Sequence, residues 1–554
     1  MNDLRQPLQN ELESQPGWAR RFESWIETHS NLSAMLILTL GFLIRLWAAS
    51  GTFLNPDEAL HYLLANQSSW RLAYQASLTN AHPPLLTLVL YLWRGLGTSE
   101  FVLRLPSVIA GTAFCWLVFK WLTRLLGPAT GFVGLILVSF LPPVIALAAE
   151  VRQYALLLFF LTATAYLLER AFAENSAAMM LLSAISLCLG LLSHYSAILF
   201  AAAIGVYSLL RLLARRPSAS VSAAWIMGQA SVLGLIAALY VSHISKLKGD
   251  YAAGTIQGWL ANSFFRPGHD NAILFVIART GGVFQYVFGQ LAVGDLAFLA
   301  FIAGVVLLWK GNISSADLNA TSRQLGVLFV LPFAVGAGAS LARIYPYGGT
   351  RHSAFLIIFA VAGVSSLIAW LTKQRIVTGI LLALLIVAFS NAFGQPHRPY
   401  MLRVDQCRTQ MIRATEVIES QIPNSDLIFI DYQTRLLLGY YLCPQQPVVF
   451  AASVGSLEDF QCGGHRIVAA GPDLYIFSTQ SFPPRWNELQ RSFPLRSGQA
   501  VWVIQAGWEV NLSQQLQRSV PGLRGLSSRS FGKNITIFRL TVGQPMFLIG
   551  ASSD

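Results

Sequence analysis

Between Met35 and about Phe393 the chain strings together predominantly apolar runs of roughly 17 to 22 residues, each long enough to cross a hydrocarbon core about 30 Å thick. That recurrence dictates a multi-pass α-helical membrane protein, because in lipid a helix satisfies its backbone N–H and C=O groups within its own segment. Charged residues make up 12% of the chain, about half the share of an ordinary soluble domain. From about Gln395 the texture changes to shorter apolar runs broken by polar and turn-forming residues. Three regions are expected: a cytoplasmic tail over 1–30, a membrane domain over 31–395 and an extracytoplasmic soluble α/β domain over 396–554.

The spacing predicts about eleven crossings. They fall at Met35–Ala49, Leu105–Leu122, Ala129–Ala148, Tyr154–Ala171, Ala177–Leu191, Ala197–Leu213, Ala223–Ser242, Leu291–Trp309, Leu325–Leu341, Ala354–Leu371 and Ile376–Phe393. The run Pro84–Gly97 is apolar but only about 14 residues long, which suits an interfacial or re-entrant helix better than a crossing. Gln257–Gly289 has room for another interfacial helix. With Arg20 and Arg21 holding the N-terminus inside, the inner loops receive Lys120, Arg124, Arg170, Arg211, Arg215, Arg216, Lys310, Arg323, Lys373 and Arg375, as the positive-inside rule asks. Counting Pro84–Gly97 as a crossing would turn the RLLARR run outward, so the tail is placed outside.

The formal net charge is +12, yet most of the bases flank apolar segments. Membrane lipids with anionic headgroups, and no nucleic acid, are the partners this pattern implies. Met1–Ser30 mixes acids with bases and lacks an apolar h-region, so no cleavable signal peptide is expected ahead of the first span. Of the five cysteines, Cys115 and Cys188 lie in apolar spans as small hydrophobes. Cys407, Cys443 and Cys462 lie in the tail, where an oxidising compartment would allow one bridge, with Cys443 to Cys462 preferred. The tail reads as a helix near Arg408–Gln421, a strand at DLIFID, a helix through LLLGYYL, then strands PVVFA, RIVAA, AVWVIQA and ITIFRL. Helical WNELQRSF and LSQQLQR stand between some of them.

On this topology the outer side receives Asn55-Pro56-Asp57-Glu58, Ala81-His82-Pro83-Pro84, Glu150 through Tyr154, His194-Tyr195, and Tyr345 through His352. Polar residues at span ends are costly unless they pair or work. A carboxylate at Asp57 is suited to act as general base on an acceptor hydroxyl or amine; it is equally placed to cap the run EALHYLLA. The residues alone leave both open. Glu150 and Tyr154 share a helical face if the next helix already runs there. Arg152 offers a phosphate a fixed fork of donors, or snorkels at the interface beside Glu150. His82 and His194 are suited to polarise a phosphate or orient a carboxylate, although a loop histidine is more often plain polar surface. HExxH, paired CxxC and P-loop patterns are absent, so no metal and no cofactor are expected.

Taken in order, the DE pair soon after the first span, HPP before a juxtamembrane apolar helix, RLPS opening the second span and ExRxY at the next outer loop resemble the GT-C glycosyltransferases. Within them the resemblance is to the protein O-mannosyltransferases and the bacterial aminoarabinose transferases of lipid A, and it runs from Leu36 to Phe393. It implies a polyprenyl-phosphate sugar donor, a lipid, glycan or protein acceptor, and an active site on the extracytoplasmic face of the plasma membrane. On that resemblance Asp57 is the catalytic carboxylate, and Glu58 holds the acceptor or supports Asp57. His82, Glu150, Arg152 and Tyr154 would line the substrate cavity, with Arg152 on the donor phosphate; His194, Tyr195, Arg351 and His352 join them. The implied reaction is a single inverting displacement at the anomeric carbon. The tail does not resemble the trefoil-shaped domain of eukaryotic O-mannosyltransferases, which leaves the acceptor class open. Competing readings are a glycan polymerase or ligase, and a lipid or sugar transporter or flippase, whose charges would sit at span midpoints or broken helices. A membrane-anchored binding protein is the plainest, but about eleven crossings are excessive for an anchor.

Overall fold

Apolar length decides where this chain is helical. The computed structural model describes residues 17–247, 258, 260–313, 320–392, 406–443, 457–493, 495–513, 520 and 523–543. Eight of its helices are long and apolar enough to cross a membrane: Ser30–Ser50, Glu100–Leu126, Tyr154–Ala173, Ala197–Ala214, Ala219–Ser242, Leu291–Lys310, Ser322–Leu341 and Arg351–Leu371. Ala177–Ser193 and Ile376–Ala392, with 17 residues each, are shorter apolar helices at the places of two further expected spans. Ala272–Val287 fills the room foreseen before Gly289. The run Pro84–Gly97 forms the short helix Leu85–Trp93 and a 3-10 turn, Arg94–Leu96.

One expected span needs correction. Ala129–Ala148 is not a single straight helix but two pieces, Pro128–Phe140 and Pro142–Ala148, bent by 65° at Leu141. The cause is local: the carbonyls of Val138 and Ser139 would ordinarily accept from residues 142 and 143, and both are prolines without an N–H. Arg45, fully buried in the helix Ser30–Ser50, takes their place. Its guanidinium donates to Val138 O at 2.8 Å and to Ser139 O at 3.0 Å, with Gly41 O at 3.0 Å and Cys115 Sγ at 3.2 Å completing its shell. A charged side chain inside an apolar span thus satisfies the two carbonyls that the prolines release.

Contacts divide the described chain into two compact units. The first holds 17–48, 104–247 and the described part of 255–402; the second holds 49–103 and the described part of 403–543. The core of the first is aromatic and aliphatic, with Phe284, Phe301 and Phe333 mutually packed at 5.0 to 5.6 Å between ring centres. Arg211, counted among the bases of the inner loops, is buried. It meets Glu169 at 2.7 Å, and Tyr207 donates to the other carboxylate oxygen at 2.6 Å.

In the second unit six strands form one mixed sheet in the order β2-β3-β1-β4-β6-β5. They are β1 Leu427–Ile430, β2 Glu458–Cys462, β3 His465–Ala469, β4 Ala500–Ala506, β5 Leu523–Ser530 and β6 Ile535–Val542. β1 runs parallel to both β3 and β4, and the remaining pairs are antiparallel. The expected helices appear as Arg408–Gln421, Tyr432–Tyr441 and Phe482–Ser492. PVVFA lies outside the described residues, as does most of LSQQLQR. The buried Asp431, just after β1, accepts from Thr434 N, Phe477 N and Gln505 Nε2, each at 3.0 Å, and so ties three segments together. Cys443 and Cys462 are bridged, with Cα atoms 5.6 Å apart, while Cys115, Cys188 and Cys407 are free thiols.

The Arg45 arrangement makes a stability prediction. Arg45→Met strands two buried carbonyls and should destabilise the purified protein in detergent by about 2–5 kcal/mol. Adding Pro142→Ala and Pro143→Ala should return part of the loss, because the restored N–H groups can take those carbonyls. Thermal unfolding of the three proteins checks it; an Arg45→Met variant that melts with the wild type would remove Arg45 from this role.

Candidate active site

In the second unit a tight turn sets two adjacent carboxylates apart. Phe53 N donates to Gln406 O at 3.0 Å and Leu54 N to the Tyr441 hydroxyl at 2.9 Å, which fixes the chain as it enters the helix Pro56–Ala65. Asn55 is the cap of that helix: its side chain accepts from Glu58 N at 3.0 Å, and Glu58 returns the bond to Asn55 N at 3.0 Å. Pro56 occupies the first helical position, where its missing N–H is harmless. This corrects the expectation that Asp57 could be the cap. Capping is the work of Asn55 and the buried Glu58, and Asp57 is a half-buried residue of the first turn.

The two reciprocal capping bonds are made by Asn55 and Glu58, and Asp57 stands next to them. Its Oδ1 lies 3.5 Å from the hydroxyl of Tyr475. Its position in the first helical turn favours a negative side chain, since the unpaired N–H groups there carry partial positive charge. One turn on from Asp57, the buried His61 faces His82 with ring centres 5.8 Å apart. The helix packs on Tyr432–Tyr441 through an edge-on contact of Tyr62 with Tyr440 at 5.1 Å. Tyr441 donates to Glu100 Oε1 at 3.0 Å, and Arg408 pairs with the same oxygen at 3.2 Å.

In the first unit three separate loops converge on Tyr154. The helix Tyr154–Ala173 begins at that residue, and Glu150–Gln153 form a turn in which Arg152 N donates to Glu150 O at 2.8 Å. The helix does not yet run at Glu150, so the condition under which Glu150 and Tyr154 would share a helical face is not met. The guanidinium of the buried Arg152 stands 5.7 Å from the Tyr154 ring centre, and that of Arg351 stands 5.9 Å away. His194 packs on the same ring at 5.1 Å and faces His352 at 6.2 Å. The loop carrying Arg351 is held by Tyr347, whose hydroxyl is 2.7 Å from Thr280 Oγ1, and by Gly349, where a Cβ would lie 2.6 Å from Gly282 O. Tyr195 turns to His243, its hydroxyl 2.5 Å from Nδ1.

The structure thus gathers Arg152, Tyr154, His194, Arg351 and His352 in one cluster, and Asp57, Glu58 and His82 with His61 in another. Tyr475, His61 and His243 escaped the sequence reading. His61 carried a signal, its four-residue spacing from Asp57; a lone tyrosine in a tail loop and a histidine at the end of an apolar span carry none. Within the first cluster, among the described residues, the Tyr154 hydroxyl and both amide atoms of Gln153 are buried without a hydrogen-bond partner, the kind of open valence a polar ligand satisfies. Among the described residues no three His, Cys, Asp or Glu side chains gather as a metal site requires.

His194 occupies the turn between Ala177–Ser193 and Ala197–Ala214. Burial, reinforced by the Arg152 and Arg351 charges, pushes its imidazole down to about 3 from the usual 6.5. The folded state thus keeps His194 neutral, while an unfolded chain binds a proton as pH falls below about 6.5; stability is complete above that pH and drains toward pH 3. His194→Asn should consequently lose less thermal stability between pH 7 and pH 5 than the wild type, as read from unfolding curves in detergent. Parallel losses would contradict the neutral imidazole.

Residues 81–242 match the family model described as dolichyl-phosphate-mannose-protein mannosyltransferase. That stretch contains His82, Glu150, Arg152, Tyr154, His194 and Tyr195 and begins after Asp57. No curated protein gives a significant match. Among solved structures, the chain is similar to ArnT of Cupriavidus metallidurans in its apo state, at TM-score 0.53 and 9% identity, over 92% of this chain and 98% of that one. It is similar also to the same ArnT bound to undecaprenyl phosphate, at TM-score 0.51 and 11% identity, over 91% and 97% of the two chains. At such identity the likeness is one of fold, and it runs nearly end to end. The chain carries an ArnT-like fold along nearly its whole length, and its residues 81–242 carry the sequence pattern described as dolichyl-phosphate-mannose-protein mannosyltransferase.

Proposed function

We propose that this protein moves a single sugar from a polyprenyl-phosphate-linked donor to a lipid, glycan or protein acceptor on the extracytoplasmic face of the plasma membrane. The observation that carries the reading is the convergence of Arg152 and Arg351 on one buried tyrosine beside a neutral histidine. A guanidinium offers phosphate oxygens a fixed fork of charged donors, and two of them stand around this ring. The solved ArnT bound to undecaprenyl phosphate is consistent with such a ligand. The Cys443–Cys462 bridge supports an oxidising, extracytoplasmic setting for the tail.

In this reaction Asp57 takes the proton of the acceptor hydroxyl or amine as the acceptor atom bonds to the anomeric carbon. The bond from that carbon to the phosphate oxygen breaks, its electron pair leaves with the polyprenyl phosphate, and the anomeric centre inverts. Arg152 and Arg351 stabilise the charge gathering on the departing phosphate, the kind of preorganised stabilisation that dominates many active sites. Glu58 holds the first turn and so fixes the position of Asp57.

With polyprenyl-phosphate sugars extracted from the same cells as donor, purified Asp57→Asn protein should lose about 10² to 10⁴ in rate while staying folded. Glu58→Gln should keep most of its activity, because glutamine still accepts from Asn55 N. Arg152→Lys keeps the charge but not the fork, and should raise the half-saturating donor concentration about tenfold. Normal turnover in Asp57→Asn would remove the base; unchanged donor saturation in Arg152→Lys would remove the phosphate ligand.

A further inference from the structure

Open sheets that contain parallel strands present their ligand-binding edge at the carboxyl ends of those strands. In the tail these are the ends of β1, β3 and β4, and the residues that follow them lie against the turn that holds Asp57. Gly507, after β4 and with φ +139°, comes so close that a Cβ there would stand 2.9 Å from Pro56 Cγ and 2.5 Å from Gln433 Oε1. Gln433, after β1, accepts from Trp508 N at 2.9 Å and donates its own backbone N–H to Tyr475 O at 3.0 Å. Tyr475, after β3, packs its ring against Tyr432 at 5.7 Å, and two residues later Phe477 N is anchored on Asp431. Backbone, ring and flanking residue of Tyr475 are all fixed, and its hydroxyl is directed at Asp57 Oδ1, 3.5 Å away. Catalytic hydrogen bonds are often long in the resting enzyme and tighten when substrate binds.

We propose that Tyr475 is a positioning residue for Asp57: its phenol donates to Oδ1 and holds the carboxylate in one rotamer for receipt of the acceptor proton. The tail domain then completes the general-base site. The inference rests on the reading of Asp57 as the base. The phenol keeps its proton throughout, and the proton taken from the acceptor resides on the Asp57 carboxylate.

The test uses the purified full-length chain supplied with extracted polyprenyl-phosphate sugars, with released polyprenyl phosphate as the readout, for Tyr475→Phe, Asp57→Asn and the double variant. Tyr475→Phe should lower kcat about tenfold, the worth of one hydrogen bond to a charged group, with donor saturation and melting temperature unchanged. Because Tyr475 acts through Asp57, the double variant should be no slower than Asp57→Asn alone. A wild-type kcat in Tyr475→Phe, a loss that multiplies with Asp57→Asn, or a loss that tracks a lowered melting temperature each overturns the inference and leaves the base reading standing. Normal turnover in Asp57→Asn overturns both.

Discussion

Hydrocarbon offers no water to a stray carbonyl or N–H, and that single constraint decides where this chain is free to be irregular. Inside the spans a break in the helix calls for a side chain to answer it. At the Pro142-Pro143 break Arg45 takes up the two carbonyls that the prolines release. At the helix ends the constraint relaxes, and the residues suited to chemistry appear there: Asp57 in a first turn, Arg152 in the turn before Tyr154, His194 between two helices and Arg351 at the start of another.

Adjacent carboxylates with different duties follow from helix-end chemistry. The first turn of Pro56–Ala65 has N–H groups without partners, and Asn55 with Glu58 answers two of them reciprocally. Glu58 is buried and committed, while Asp57 stands half-exposed one residue away with the positive end of the helix behind it. Sequence alone left base and cap level for Asp57; the capping box separates them, because the duty that competed for Asp57 belongs to its neighbours.

Much of the architecture was legible beforehand because apolar length and alternation are written directly in the sequence. Each expected span has a helix at its place, and the strands AVWVIQA and ITIFRL were read from their apolar runs. The strands missed were β2 and β5, the two edges of the sheet. EDFQC and LRGLSSRS are polar because an edge strand buries little, so they carry no run to detect. The break at Leu141 was foreshadowed by its two prolines, but its counterpart Arg45 lies about ninety residues earlier in an apolar span, and pairing of that range leaves no local pattern. For the same reason the link from Tyr475 to Asp57 could not be read from sequence. The converging of Arg152, His194 and Arg351 on Tyr154 was anticipated only as loops sharing one side, without its geometry.

A first-turn carboxylate beside the capping box, a buried cationic and aromatic cluster, a bridged α/β tail and an ArnT-like fold along nearly the whole chain support the proposed transfer of a lipid-linked sugar. The most direct measurement compares, by mass spectrometry, the glycolipids and glycoproteins of cells that express the wild-type chain, the Asp57→Asn chain or neither. The account predicts an acceptor that carries one more sugar residue only in the wild-type cells. Identical profiles in all three, or an acceptor modified equally by Asp57→Asn, would contradict it.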